Sequence, residues 1–208
     1  MTPMPKADEQ VLVIPRTRFE AAGTFHGFRP FDAAYQALLM PPGELSFRPR
    51  SLAETDPAYK QLIPYVLLRH GARFFEYVRG KSGGETRLHH RRSVGIGGHI
   101  ASTDGDAAGA VYRVGMLREL HEEVDLRTAF AERPLGFIYD GRTPVGEVHL
   151  GIVHVLDLEA ADVAAKEDGI ADGRFTELAE LLTRLAEFET WSQFALQAVS
   201  MGDRDDDK

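Results

Sequence analysis

Residues 118–123 read Arg-Glu-Leu-His-Glu-Glu, and no other stretch of the chain concentrates so much chemistry in so few positions. On a helix Glu119, Glu122 and Glu123 stand at i, i+3 and i+4, so their carboxylates share one face. Three like charges at that spacing repel one another unless a cation compensates, and hard divalent ions that prefer oxygen ligands are the natural compensators. An acidic triplet alone is commonly a solvated helix face. Here it is joined to Arg118 and backed by Leu117, Leu120 and Val124, which would hold the helix to a core and mount the carboxylates on a rigid element.

The elements that must position this stretch are legible around it. Residues 107–124 place Val114, Leu117, Leu120 and Val124 at helical spacing, which predicts an amphipathic helix. Ahead of it SVGIGGHI (93–100) reads as a strand end rich in glycine, where backbone or ligand can approach closely. LIPYVLLR (62–69) and RFFEYVR (73–79) flank His70-Gly71-Ala72 as two strands joined by a tight turn. Phe74, Phe75 and Tyr77 alternate along the second of these, and core packing is their expected role. PLGFIYD (134–140) and EVHLGIVHVLDL (147–158), separated by Gly141-Arg142-Thr143-Pro144, predict a second hairpin. Residues 176–199 carry an apolar helical face from Leu178 to Leu185 that continues after a bend through Phe188, Trp191 and Val199. Before residue 61, QVLVIP (10–15) is of strand type, FDAAYQALLM (31–40) has helical spacing, and eight glycines and prolines punctuate the stretch between residues 16 and 60.

With 208 residues and 43% hydrophobic content, one core with a large elaboration is expected: residues 1–60 as an N-terminal elaboration, 61–201 as the main core with C-terminal helices, and 202–208 as a solvated tail. A net charge of −8 supplies no broad cationic surface and argues against a nucleic-acid backbone as the main partner. The chain has no cysteine, which excludes disulfides, thiolate metal sites and cysteine nucleophiles and fits a reducing cytoplasm. No run approaches the length needed to cross a bilayer, so no membrane partner is expected. Arg79, Arg87, Arg91 and Arg92 cluster just before the glycine-rich strand, where guanidinium groups could grip phosphates bidentately.

The pattern Arg-Glu-aliphatic-X-Glu-Glu, with Gly97-Gly98-His99-Ile100 ahead of it, resembles the signature of the Nudix family, G-x5-E-x7-R-E-U-x-E-E-x-G-U with U aliphatic. Two departures stand out. Gly98 and Arg118 lie twenty positions apart where the signature has fourteen, so six extra residues are expected before the helix, within residues 102–109. Counted back from Arg118, the first glutamate of the signature falls on Ala110, and its late glycine falls on Asp125, a residue type that tolerates the left-handed conformation helix ends often need. QVLVIPR, KQLIPYVLLR (60–69), Glu85 to Leu88, GEVHLGIVH (146–154) and ETWSQ (189–193) extend the resemblance to a poorly characterised bacterial branch of predicted Nudix-type phosphoesterases.

The resemblance implies an α/β/α sandwich around a mixed sheet, and hydrolysis of a nucleoside diphosphate joined to another group. It implies that Glu119, Glu122, Glu123 and the Gly97 carbonyl ligate Mg²⁺ or Mn²⁺, and that Arg118 orients a glutamate. The ion would neutralise the diphosphate and acidify the attacking water. Such enzymes often take their general base from outside the signature, and Glu147, expected at a strand start and sharing a face with His149, is the candidate. His99 and His121 are expected to be structural or solvent-facing. The resemblance also leaves room for a homodimer, and for a non-catalytic reading in which the same fold senses a nucleotide ligand.

Overall fold

The computed structural model describes residues 8–41, 44, 46–80, 91–105, 110–166 and 170–202. Arg87 and Glu85–Leu88, residues 106–109 of the expected insertion and the last six residues lie outside them. The elements, in chain order, begin with β1 (Gln10–Pro15), α1 (Arg16–Ala22), β2 (Gly27–Pro30), α2 (Ala33–Leu39), β3 (Ser46–Pro49) and α3 (Arg50–Ala53). They continue with β4 (Tyr59–His70), β5 (Arg73–Arg79), β6 (Arg92–Ser93), β7 (Gly95–Gly97), α4 (Val111–Glu123), β8 (Val124–Leu126), β9 (Phe130–Tyr139) and α5 (Pro144–Val148). The chain closes with β10 (His149–Leu158), β11 (Val163–Ala165), β12 (Ile170–Glu177), α6 (Leu178–Thr183) and α7 (Thr190–Gly202).

A mixed sheet runs in the order β12-β5-β4-β10-β9-β2, and β1, β3, β6 and β7 join it from the side. Its centre is the parallel pair β4 and β10, with Gln61 opposite His149 and Leu68 opposite Leu156. Every residue of β4 from Lys60 to Leu68 is buried, as expected of a strand covered on both faces. The two faces separate cleanly along β10: Leu150, Ile152 and Leu156 pack with α4 residues Val111, Met116 and Leu120, whereas Val153 and Val155 pack with Leu181, Ala195, Leu196 and Val199 of the C-terminal helices. The α/β/α sandwich with a mixed sheet is therefore the architecture of this protein. No helix among the described residues is long and apolar enough to cross a membrane.

The β4–β5 hairpin turns where expected, at Gly71, whose φ of 60° is the left-handed backbone that glycine supplies without steric cost. Phe74, Phe75 and Tyr77 are core residues. Three local expectations are corrected, and one strand that was not expected is found. The connection between β9 and β10 is no tight loop: Thr143 accepts a hydrogen bond from Gly146 N, Pro144 follows at the first helical position, and α5 forms. Residues 170–177 are a strand, paired antiparallel to β5 with an irregularity between Ala171 and Arg174 that obscures its alternation. On α4 the buried face is Val111, Tyr112, Gly115, Met116 and Leu120, and Val114 is exposed. The helix leaves through Val124 in extended conformation straight into β8, and Asp125 is not left-handed, so the site needs no glycine.

Candidate active site and metal centre

Arg118 sits at the centre of the polar network on α4. Its Nε and Nη2 grip Asp104 at 2.6 and 3.0 Å, Nη2 also donates to the His99 carbonyl at 2.9 Å, and Nη1 donates to Glu119 at 2.9 Å and Glu122 at 3.2 Å. These contacts occupy all five N–H groups of the guanidinium. Asp104, whose side chain is 3% exposed, additionally accepts from Ala101 N at 2.7 Å. One arginine thus ties together the glycine-rich loop, the short turn after it, and two of the three helix carboxylates.

Asp104 is the residue that counting back from Arg118 misses. It lies six positions after Gly98, the spacing of the first acidic residue in the signature, so the extra residues fall after the acid and not before it. Ala110, the position found by counting back, is exposed at the head of α4. The first acidic group is retained as an aspartate, paired to the signature arginine across the insertion.

Two glycines make this packing fit. A Cβ at Gly115 would stand 2.4 Å from Asp104 Oδ2, and a Cβ at Gly98 would stand 2.0 Å from Glu119 Oε2. Glu119 is thereby wedged between Arg118 and the glycine-rich loop. Burial raises its pKa, and the Arg118 contact opposes that rise while Glu122 and Glu9 add to it. A carboxylate so placed takes its charge most readily with a cation beside it. Glu122 is exposed, and Glu123 stands close enough to Tyr77 to raise the phenol pKa slightly. Glu119, Glu122 and Glu123 are not drawn into one cage: among the described residues, the group of three whose ligand atoms lie within 4.8 Å of one another is Glu54, His99 and His149.

That second group adjoins the first. His99 Nε2 is 3.7 Å from Glu54 Oε1, His149 Nε2 is 3.9 Å from Glu54 Oε2, and the two rings lie 5.7 Å apart. Burial first, then Arg50, His149 and Arg118, lower the His99 pKa to about 3, so the imidazole is neutral and its contact with Glu54 is no ion pair. Arg50 bonds both Glu9 and Glu54, which brings the segment before residue 60 onto the flank of the site. His99 is half-buried with its Nε2 turned inward to this cluster, and the types and positions of Glu54 and His149 gave no signal that they would meet it.

The remaining sequence candidates are placed as follows. Glu147 belongs to α5 and not to a strand, because Thr143 and Pro144 start a helix there; its carboxylate pairs with Arg16 at 3.3 Å and its carbonyl accepts from buried Lys60. Arg91 donates to the Ala186 carbonyl at 2.8 Å, and Arg92 pairs with Glu76 and Glu187. Arg79 ends β5, its N–H bonded to the Arg91 carbonyl. Arg91 and Arg92 therefore tie the sheet edge to the C-terminal turn. His121 is exposed, with its carbonyl bonded to Lys166.

No protein-family model matches the chain. Protein YmaB of Bacillus subtilis (strain 168) is 37% identical over 209 residues, covering 94% of this chain and all of that one. The crystal structure of Tm1382, assigned to the Nudix hydrolases, superposes with a TM-score of 0.76 and 29% identity over 92% of this chain and 98% of that one. The chain has the Nudix hydrolase fold. A more distant member of the fold, the NUDIX domain of Shewanella oneidensis NrtR, solved with ADP ribose, gives a TM-score of 0.51 at 13% identity over 70% of this chain and 88% of that one. Within this Nudix-fold chain the signature is thus present with an aspartate for its first acid and an insertion behind it.

Proposed function

We propose that this protein hydrolyses the diphosphate linkage of a nucleoside diphosphate derivative with the help of Mg²⁺ or Mn²⁺, by attack of water at phosphorus. The observation that carries the reading is Arg118 holding Glu119 and Glu122 beside the Gly97-Gly98 loop. The donor set fits: Mg²⁺ is commonly held by one or two carboxylates, with water and substrate phosphates completing its shell. Glu119 and Glu122 would supply those carboxylates, with Glu123 and the Gly97 carbonyl as the further oxygens. An ion held there supplies positive charge against the diphosphate and acidifies the attacking water.

The chain's own residues do the positioning. Arg118 fixes the rotamers of Glu119 and Glu122 and ties them through Asp104 and the His99 carbonyl to the loop that faces them. Preorganisation of that kind is what phosphoryl chemistry chiefly needs from a protein. Glu147, paired with Arg16, remains the carboxylate outside the signature to be tried as base.

A panel of nucleotide sugars, dinucleoside polyphosphates, ADP-ribose, NADH and nucleoside triphosphates tests the assignment, with Mg²⁺ or Mn²⁺ and phosphate read after a coupling phosphatase. Monophosphate release that is lost in Glu122→Gln and on chelation is expected. Nucleotide binding by calorimetry with no turnover of any panel member would instead establish the sensor reading.

A further inference from the structure

Glu54, His99 and His149 bring one carboxylate and two imidazoles together where the central strand β10 begins, and the chemistry of that trio differs from the all-oxygen set on α4. We propose that these three side chains form a second metal site, for a borderline transition ion of the Zn²⁺, Fe²⁺ or Co²⁺ class, next to the Nudix helix.

Four observations carry this. Ligands about 2.1 Å from a tetrahedral ion lie about 3.4 Å from one another, and the Glu54 oxygens stand 3.7 and 3.9 Å from the two imidazole Nε2 atoms. Small rotations close that gap. Second, His149 Nδ1 lies 2.7 Å from the Val145 carbonyl, which can only accept, so Nδ1 carries the proton and Nε2 presents its lone pair toward Glu54. A metal-binding histidine is characteristically fixed in this way by its other nitrogen.

Third, His99 Nε2 is buried with no hydrogen-bond partner, and so are both amide atoms of Gln61, which is 0% exposed. Gln61 is the register partner of His149 on the neighbouring strand, so the two side chains share a face of the sheet. Buried polar atoms without partners are costly, and three of them gathered here mark a place where a ligand and its bound water belong. Fourth, the charge permits a dication. Arg50 is the cation nearest Glu54, and Glu9 and Glu54 offset it.

Two imidazoles and a carboxylate suit a transition ion better than Mg²⁺, and three protein ligands leave positions open. Those positions adjoin Arg118 and Glu119, because Arg118 bonds the carbonyl of His99 itself. The site does not depend on the hydrolytic reading of the helix carboxylates.

Co²⁺ titration of the full, untagged, chelator-stripped protein tests the proposal through its visible ligand-field spectrum, with Zn²⁺ competition. One equivalent with intense visible absorption is expected, displaced by Zn²⁺ and not by Mg²⁺. His149→Gln and Glu54→Gln should each weaken Co²⁺ binding at least about tenfold, whereas the Glu119→Gln/Glu122→Gln double variant should keep the spectrum. Thermal melts without metal identify any variant that fails to fold, and Glu54→Gln, in a surface turn, supplies the result if His149→Gln does. Absence of the band, its survival in Glu54→Gln, or its loss in the helix double variant overturns the site. Absence of hydrolysis in the wild-type protein, or its survival in the helix double variant, with the cobalt spectrum intact counts against the hydrolytic reading alone.

Discussion

Arg118 uses all five of its N–H groups on four acceptor residues, and no other side chain could take its place. Lysine offers a point charge with three donors and cannot bind Asp104 bidentately while reaching two glutamates. The partner matters equally, because Asp104 is buried and its charge is compensated by Arg118 and one main-chain N–H. Asp104→Asn is expected to cost about 1.5–3 kcal/mol, the scale of hydrogen bonds to charged groups, in urea denaturation. Ala110→Glu, at the exposed position that counting back from Arg118 suggests, is expected to stay within about 0.5 kcal/mol. Equal effects of the two would contradict the pairing. The sequence carried the composition of this network and not its register: six extra residues separate Gly98 from Arg118, and nothing in the letters says on which side of the acid they fall. Glu54 and His149 were invisible for a related reason. They lie on distant segments, and only the pairing of β1 and β10 with β4 brings those segments together.

At the scale of elements, α4 is fitted to its neighbours by absence of side chains as much as by their presence. Alanine is a better helix former than glycine by about 1 kcal/mol, yet a Cβ at Gly115 would meet Asp104 Oδ2 at 2.4 Å and Ile100 Cδ1 at 2.8 Å. Overpacking of that kind costs about 1–3 kcal/mol, so Gly115→Ala is expected to lower the melting temperature despite its better propensity. Gly202→Ala, in α7 with nothing within 4 Å of the added carbon, is the control and is expected to leave stability unchanged or slightly higher. If Gly115→Ala stabilises the protein, the helix does not press on Asp104 as described. The helix itself was readable from its spacing, but its buried face was not: Tyr112, Gly115 and Met116 line it while Val114 looks outward. Polar and small residues on a buried face are set by what packs there, here His154 and Asp104, and hydrophobic periodicity does not register them. Strand β12 escaped for a similar reason, its Ala171–Arg174 irregularity breaking the alternation that marks a strand.

Across the whole molecule the sandwich is closed by a buried charge cluster on β5 and β12. Glu76, fully buried on β5, meets Arg92 at 2.8 Å, Arg184 at 2.9 Å, Arg174 at 3.0 Å and Thr176 at 2.8 Å. It links β5 and β12 to the turn after α6. Burial raises its pKa, but the contacts with Arg184, Thr176, Arg174 and Arg92 outweigh that, and the pKa is lowered. A carboxylate with a depressed folded pKa adds stability above its unfolded pKa, about 4.3, and that stability is lost as the pH falls through the folded value. Glu76→Gln is therefore expected to cost about 3–5 kcal/mol near neutrality by leaving the arginines uncompensated, and to flatten the loss of stability below about pH 4.5 in acid titrations of the melting temperature. An unchanged acid limb in the variant would remove Glu76 from that role. The layer order came with the family resemblance, while strand and helix patterns gave most of its elements; this cluster was not legible, since Glu76 stands in an ordinary-looking FFEYV strand and three of its four partners are about a hundred residues away. The central claim concerns α4, where Arg118 presents Glu119 and Glu122 for a divalent ion. Its most direct test is the Mg²⁺-dependent rate of monophosphate release from the best panel substrate, wild type against Glu119→Gln. A fall in kcat/KM of at least about a hundredfold, near 3 kcal/mol of barrier, with unchanged melting temperature is predicted, and a folded Glu119→Gln protein of wild-type rate and metal dependence would contradict the account.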